Sequence, residues 1–438
     1  MNYARVLTRK ASRLALLLAA TLLAAADISP DRYLEHVKFL ASPELEGRGT
    51  GTTGLEKAAH YIAGQFQNFG LKPLAGSSYL QAFPVTINAR LGEGNTFTYS
   101  LNGETARLKL NEEFVPLNFS AGGTATGRLV FAGYGITAPE YNYDDYAGLD
   151  VKGKLVVVLR HEPQESDENS PFAGKLLTSH AQLWSKAINA KQRGAAGVIL
   201  VHDRRNHPGE AEELEKFGRT AGPSEAGILF VQVRSQIVES WLEAAGKKLE
   251  EIQAGIDRDL KPRSFELPAS LHVSVTTDLR REVKTVHNVA GYLPGETEEY
   301  IIIGAHYDHL GLGEQFSLAP SEAGKVHPGA DDNASGVAGV LELARWLASM
   351  PKRKRGVLFL CFAGEEIGLL GSRFWVDHPL LPLDNALAMI NLDMIGRVRE
   401  GKVYVGGVTS GTNLRELVTQ VLPRHSLAAE LSGSFDAG

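Results

Sequence analysis

The apolar positions of this chain follow two different periods. Near the start, Leu34, Val37 and Leu40 follow the helix-opening Ser29-Pro30-Asp31, and Leu55, Ala58, Ala59, Ile62, Phe66 and Phe69 recur at helical spacing until Gly70 and Pro73. Two amphipathic helices are predicted. Between them, Gly47 to Gly51 lacks the Lys-Ser/Thr of a phosphate loop and no apolar strand precedes it, so a plain turn is expected. Short alternating segments over 83–114 predict strands and hairpins. From about 117 to 268 the pattern becomes compact α/β, with strands at 129–131, 155–159, 198–201 and 228–231 and helices at about 179–192 and 238–245. That stretch shows no concentration of His, Asp and Glu at strand ends. It reads as a separate inserted domain that binds or gates rather than catalyses, with 161–171 as a solvated loop.

Three later apolar runs end differently. The run 301–304 ends in Ala305-His306-Tyr307-Asp308-His309, the run 357–362 in Gly364-Glu365-Glu366, and the run 386–390 in Asn391-Leu392-Asp393. Gly329-Ala330-Asp331-Asp332-Asn333-Ala334-Ser335-Gly336 opens a helix between the first two. In open α/β sheets, reacting groups gather beyond the carboxyl ends of strands, so one shared pocket is expected. Asp308, two residues after His306, points to the same side and can hold the second imidazole nitrogen, as carboxylates do behind metal-bound histidines. Carboxylates converging on one pocket repel one another unless cations neutralise them, and a mixed His and carboxylate set suits zinc, with manganese or cobalt as substitutes. Glu365-Glu366 reads as a division of labour, one acid on metal and its neighbour free to take a proton. Asp331 or Asp332 would serve equally as a helix cap if taken alone. His309 and His327 have neighbours that fit a pocket wall, while His60, His180, His202 and His425 read as surface or packing residues.

Length and charge narrow the remaining choices. At 438 residues two folded units are expected, and a net charge of −6 supplies no basic field for nucleic acid. Arg5, Arg9, Lys10 and Arg13 precede the apolar stretch from Leu14 to Leu23, and Ala24-Ala25-Ala26 supplies small residues for cleavage. The pattern predicts an exported protein, periplasmic or secreted, whose mature form begins near Asp27 and has no stable membrane anchor. Cys361 is the only cysteine, so no internal disulfide is expected. Lys352-Arg353-Lys354-Arg355 follows the helix around 341–348, whose negative end cations favour, and is read that way rather than as a binding patch.

The motifs Gly304 to Gly311, Gly329 to Gly336, Ala363-Gly364-Glu365-Glu366-Ile367-Gly368 and Asn391-Leu392-Asp393-Met394-Ile395-Gly396 resemble those of the exported two-zinc aminopeptidases of the bacterial leucyl aminopeptidase and aminopeptidase Y type. Leu45-Glu46-Gly47-Arg48 belongs to the same resemblance. Phe131-Ala132-Gly133-Tyr134-Gly135 and Gly153-Lys154-Leu155-Val156 are similar to the protease-associated (PA) domain that several such enzymes carry. The resemblance implies a three-layer α/β zinc-exopeptidase fold, with a mixed, mainly parallel sheet and helices on both faces. The peptidase domain would cover 27–117 and 269–438, the insert 118–268 and the signal 1–26. It further implies that Asp332 bridges two zinc ions, His306 and Asp393 complete one, Glu366 binds the other, Asp308 orients His306, and Glu365 is the base that activates a metal-bound water. The implied substrates are peptides with a free amino terminus. Another two-metal amidase, a carboxypeptidase or deacylase, and an inactive peptide-binding relative remain as alternatives. The family's fifth ligand, a histidine in a Ser-Asp-His segment, has no counterpart in these letters, which stop at Gly433-Ser434-Phe435-Asp436-Ala437-Gly438. A fragment with an incomplete second site and an uncovered sheet edge is therefore expected.

Overall fold

A computed structural model describes residues 27–207, 211–218, 225–313, 317 and 319–432. The export pattern at 1–26 and the segment 433–438 lie outside the described residues. No helix among the described residues is long and apolar enough to cross a membrane. The chain divides into two compact units, Pro84–Lys284 and the residues on either side of it.

The flanking residues form an α/β unit around one mixed sheet, ordered Lys72–Pro73, Leu279–Leu293, Gly356–Phe362, Tyr300–His306 and Ala386–Asn391, with Leu80–Leu91 also pairing with Leu279–Leu293. Tyr300–His306 runs parallel to both neighbours, and Leu279–Leu293 is antiparallel to Gly356–Phe362. Alternation along Gly356–Phe362 shows why both faces are covered. Leu358, Leu360 and Phe362 pack with Trp375 of the helix Leu370–Asp377, while Phe359 on the other face meets Phe66 of the helix Thr53–Asn68. Ala386–Asn391 is an outer strand with Leu387, Met389 and Ile390 about half exposed.

The two predicted amino-terminal helices are present as Pro30–Leu40 and Thr53–Asn68, each capped by a side-chain oxygen, from Ser29 and Thr52. The buried face of the first differs from the expectation: Leu34 is exposed, and His36 and Leu40 are buried. The reason is polar. Glu342, buried in the helix Gly336–Ala348, accepts from Ser29 N and Arg32 Nε, and His36 Nδ1 lies 2.6 Å from Tyr61 Oη. Beyond that helix, Arg353 Nη1 donates to the carbonyls of Leu347 and Met350.

The other unit is wider than the expected 118–268. Thr96–Leu101, Glu104–Leu108, Gly123–Gly127 and His272–Thr277 make an antiparallel four-stranded sheet, and Phe97, Leu108, Val273 and Val275 share a core with Leu155, Val157, Ile199 and Val231. Shared burial, which periodicity does not reveal, draws those strands in. The second sheet of this unit contains the parallel strands Leu129–Phe131, Leu155–Leu159, Gly197–Val201 and Leu229–Val233. Two expectations are corrected here. Leu155–Leu159 runs into Arg160-His161-Glu162 and Gly197–Val201 into His202-Asp203, so ionisable groups do gather at strand ends. Nor is all of 161–171 solvated: 166–169 are exposed, but Glu162 is fully buried and accepts from both the amide and the hydroxyl of Thr178.

Candidate metal centre

The three parallel strand ends of the mixed sheet converge as expected. His306 closes Tyr300–His306, Glu365 and Glu366 follow Gly356–Phe362, and Asp393 follows Ala386–Asn391. His306 Nε2 lies 3.1 Å from Asp332 Oδ1 and 3.4 Å from Asp393 Oδ1. The other oxygen of Asp332 faces His309, with Oδ2 3.7 Å from His309 Nδ1, and that nitrogen lies 2.6 Å from Glu366 Oε1. Two triads, His306/Asp332/Asp393 and His309/Asp332/Glu366, thus share Asp332 through different oxygens, each triad close enough to hold one ion.

Local hydrogen bonds fix this geometry. Asp332 belongs to an irregular turn, Ala330–Ser335, and its neighbour Asn333 is buried. The Asn333 Oδ1 accepts from Gly336 N and Met394 N, while its Nδ2 donates to Leu392 O, which ties the Asp332 turn to the Asp393 turn. Asp331 faces away, accepting from Gly396 N and pairing with Arg397 at 2.8 Å. The adjacent acids therefore divide into one structural and one site-facing residue.

Asp308 sits differently from the expectation. Its main-chain carbonyl, not its carboxylate, is nearest to His306 Nδ1, at 3.2 Å against 3.8 Å. The fully buried carboxylate instead accepts from Glu365 N at 3.1 Å, Glu366 N at 3.2 Å and Thr50 Oγ1 at 3.0 Å. One residue thus orients the imidazole through its backbone and the Glu365-Glu366 turn through its side chain.

The glycine-rich stretch near residue 48 is more than a plain turn. Arg48 is fully buried and donates to the carbonyls of Leu40, Tyr307, Pro328 and Gly329, bracing the loops that carry His306 and Asp332. Gly47 has φ +68°, and a Cβ there would meet Gly311 O at 2.4 Å, so the close approach of these loops requires glycine. His327 is not in either triad; its ring packs against Gly313. Sequence reasoning placed His309 only near a pocket wall and gave Arg48 and Thr50 no site role. The signal for His309 was its position three residues after His306, but a loop has no period from which a direction can be read.

The electrostatics show an acid excess. Asp308, Asp332, Glu365, Glu366 and Asp393 are gathered here, and the buried cation beneath them, Arg48, directs its donors to carbonyls. Burial, reinforced by the charges of Asp308, Glu366 and Asp393, pushes Glu365 up to about 7. Burial of His306 disfavours its charged form, yet Asp332 and Asp393 carry it well above the usual imidazole range. Asp332 is held below the usual carboxylate range because His306 and His309 outweigh its own burial. Two imidazoles and three carboxylates in triads with a net negative charge fit borderline divalent cations such as zinc.

Residues 288–432 match the model of peptidase family M28, and residues 125–238 match that of the PA domain. Aminopeptidase YwaD of Bacillus subtilis is 27% identical over 286 residues, covering 64% of this chain and 49% of that protein. An aminopeptidase of Pseudomonas aeruginosa is 25% identical over 396 residues, covering 87% of this chain and 60% of its own length. The solved aminopeptidase from Aneurinibacillus sp. strain AM-1 aligns with TM-score 0.47 at 22% identity, over 92% of this chain and 80% of that one. The chain thus spans about half to three-fifths of the length of these curated relatives. The convergent strand ends thus lie in the segment that is similar to peptidase family M28, and the four parallel strands of the other unit lie in the segment that is similar to the PA domain.

Proposed function

We propose that this chain is a zinc-dependent aminopeptidase that hydrolyses the amino-terminal bond of peptides with a free amino terminus. The observation that carries the reading is the division of Asp332 between two triads, with Glu365 beside them in neither. His306, Asp332 and Asp393 would hold one zinc ion, and His309, Asp332 and Glu366 a second. Bound there, zinc supplies Lewis acidity toward the scissile carbonyl and toward water. Glu365 takes the proton from the attacking water and returns it to the leaving amine, and the rise of its carboxyl to about 7 suits a group that does both. Asp308 holds Glu365 in place through its amide. The curated relatives matched here that are named aminopeptidases support the substrate class. Export to the periplasm or the medium belongs to the same proposal and rests on the Arg5-to-Ala26 pattern.

Glu365→Gln tests the assignment. Turnover of aminoacyl anilides should fall by about 10²–10⁴-fold, with zinc content by elemental analysis unchanged. Near-normal turnover in that variant would show that the base is another group, and faster cleavage of acyl-amino acids than of aminoacyl anilides by the unsubstituted chain would overturn the substrate class.

A further inference from the structure

The PA-domain unit contains a gathering of metal-ligating side chains of its own. His161 Nδ1 lies 3.2 Å from Glu165 Oε2, His207 Nε2 lies 3.2 Å from the same oxygen, and the two nitrogens are 3.0 Å apart. Donor atoms held tetrahedrally around zinc at 2.0–2.2 Å stand about 3.3–3.5 Å from one another, so the three atoms need little adjustment to share an ion. We propose that His161, Glu165 and His207 form a binding site for a borderline transition-metal ion of the zinc, cobalt or nickel class.

The position in the fold favours a ligand. His161 follows the carboxyl end of Leu155–Leu159, and His207 lies six residues beyond Gly197–Val201, the adjacent parallel strand. Carboxyl ends of parallel strands are where open α/β sheets bind ligands. Both loops are held from beneath. The buried Lys186 Nζ donates to His161 O, Gln164 N donates to Asp257 Oδ1, and Asn206 Nδ2 donates to Asp203 Oδ2. His161 and Gln164 adopt positive φ of 59° and 57°, which folds Glu165 back toward the His161 ring. The three side chains are mostly buried, with exposures of 14–19%. Beside them, the His202 ring lies tilted with its centroid 5.7 Å from that of His207, and its buried Nε2 has no hydrogen-bond partner among the described residues.

The donor chemistry selects the ion class. Two imidazoles and one carboxylate suit zinc and its neighbours, whereas calcium and magnesium prefer all-oxygen shells. One contact must yield. Arg160 Nε donates to His161 Nε2 at 3.2 Å, and a ring that binds metal through Nδ1 carries its proton on Nε2. Arg160 is already paired through Nη1 with Glu215, and its Nε turns away on loading.

The experiment separates this site from the peptidase triads by removing their shared residue. The full chain carrying Asp332→Ala, stripped of metal and titrated with Co²⁺ or Zn²⁺ against a chromophoric competitor, should take up one equivalent, and adding His207→Ala should abolish it. Zinc should also slow amide exchange over 161–165 and 202–207 in the chain without substitutions, a readout that does not depend on how any variant folds. Uptake unaffected by His207→Ala, or no zinc-dependent protection of those two loops, would overturn the assignment.

Discussion

In the PA-domain unit Glu162 and Asp203 follow the ends of parallel strands, as Glu365, Glu366 and Asp393 do in the peptidase unit, but their surroundings are opposite. Glu162 accepts from the Thr178 amide and hydroxyl, Asp203 accepts from Asn206 and Gln253, and the neighbouring Asp145 accepts from two amides and the Tyr143 hydroxyl. Lys186 lies among them fully buried, its ammonium pushed down to about 7 by that burial and donating to Tyr134 O and His161 O. In the peptidase unit the acids instead face one another and two imidazoles. A buried acid supplied with protein donors is part of the scaffold, whereas acids that meet without donors require a cation from outside.

The largest test of this contrast is Asp332→Ala. It should remove metal from both triads together, cutting turnover by at least about 10²–10³-fold, the scale on which an electrostatic stabiliser is lost. Elemental analysis checks this against His309→Ala, which should remove one ion and spare the other. Equal metal loss in the two variants would mean that Asp332 does not divide the site. The mirror experiment in the PA-domain unit is Lys186→Met, which leaves the carbonyls of Tyr134 and His161 without their buried donor. Leaving a buried polar group unsatisfied costs about 1–3 kcal/mol, so amide exchange in Leu155–Leu159 and Gly197–Val201 should accelerate accordingly while peptidase metal content stays constant.

The same contrast explains what could be read from the letters. The peptidase strands were legible because each apolar run stops abruptly at an acid or histidine, and Tyr300–His306, Gly356–Phe362 and Ala386–Asn391 all lie where those runs predict. The PA-domain strands were equally legible, but the fate of their terminal acids was not: Glu162 finds its donors on Thr178, sixteen residues on. Arg48 was obscure for a related reason. Its four carbonyl partners come from Leu40, Tyr307, Pro328 and Gly329, and a main-chain acceptor leaves no trace in residue type. His36 likewise interrupts an apolar period because its partner, Tyr61, lies on the next helix.

A smaller effect comes from Asp308, a peptidase-site acid that is supplied with main-chain donors. Asp308→Asn keeps the main-chain carbonyl near His306 but turns one acceptor oxygen into a donor opposite Glu365 N, Glu366 N or Thr50 Oγ1. Supporting residues of this kind are worth about 10–100-fold in metal affinity, and competition with a chelator should show a loss in that range.

The smallest expected effect is that of Thr50→Val, which preserves shape and removes only the hydroxyl that donates to Asp308 Oδ2. Both amide donors, Glu365 N and Glu366 N, remain, so the carboxylate stays partly satisfied and the metal triads keep their ligands. A hydrogen bond to a charged group contributes about 1.5–3 kcal/mol, and the two remaining donors should hold the loss to the lower end. Turnover should therefore fall by about tenfold, with metal content unchanged and KM little altered, because Thr50 acts on the aim of Glu365 rather than on substrate. Loss of metal in Thr50→Val as large as in Asp308→Asn would instead mean that this hydroxyl, and not the pair of amides, is what holds Asp308 in place.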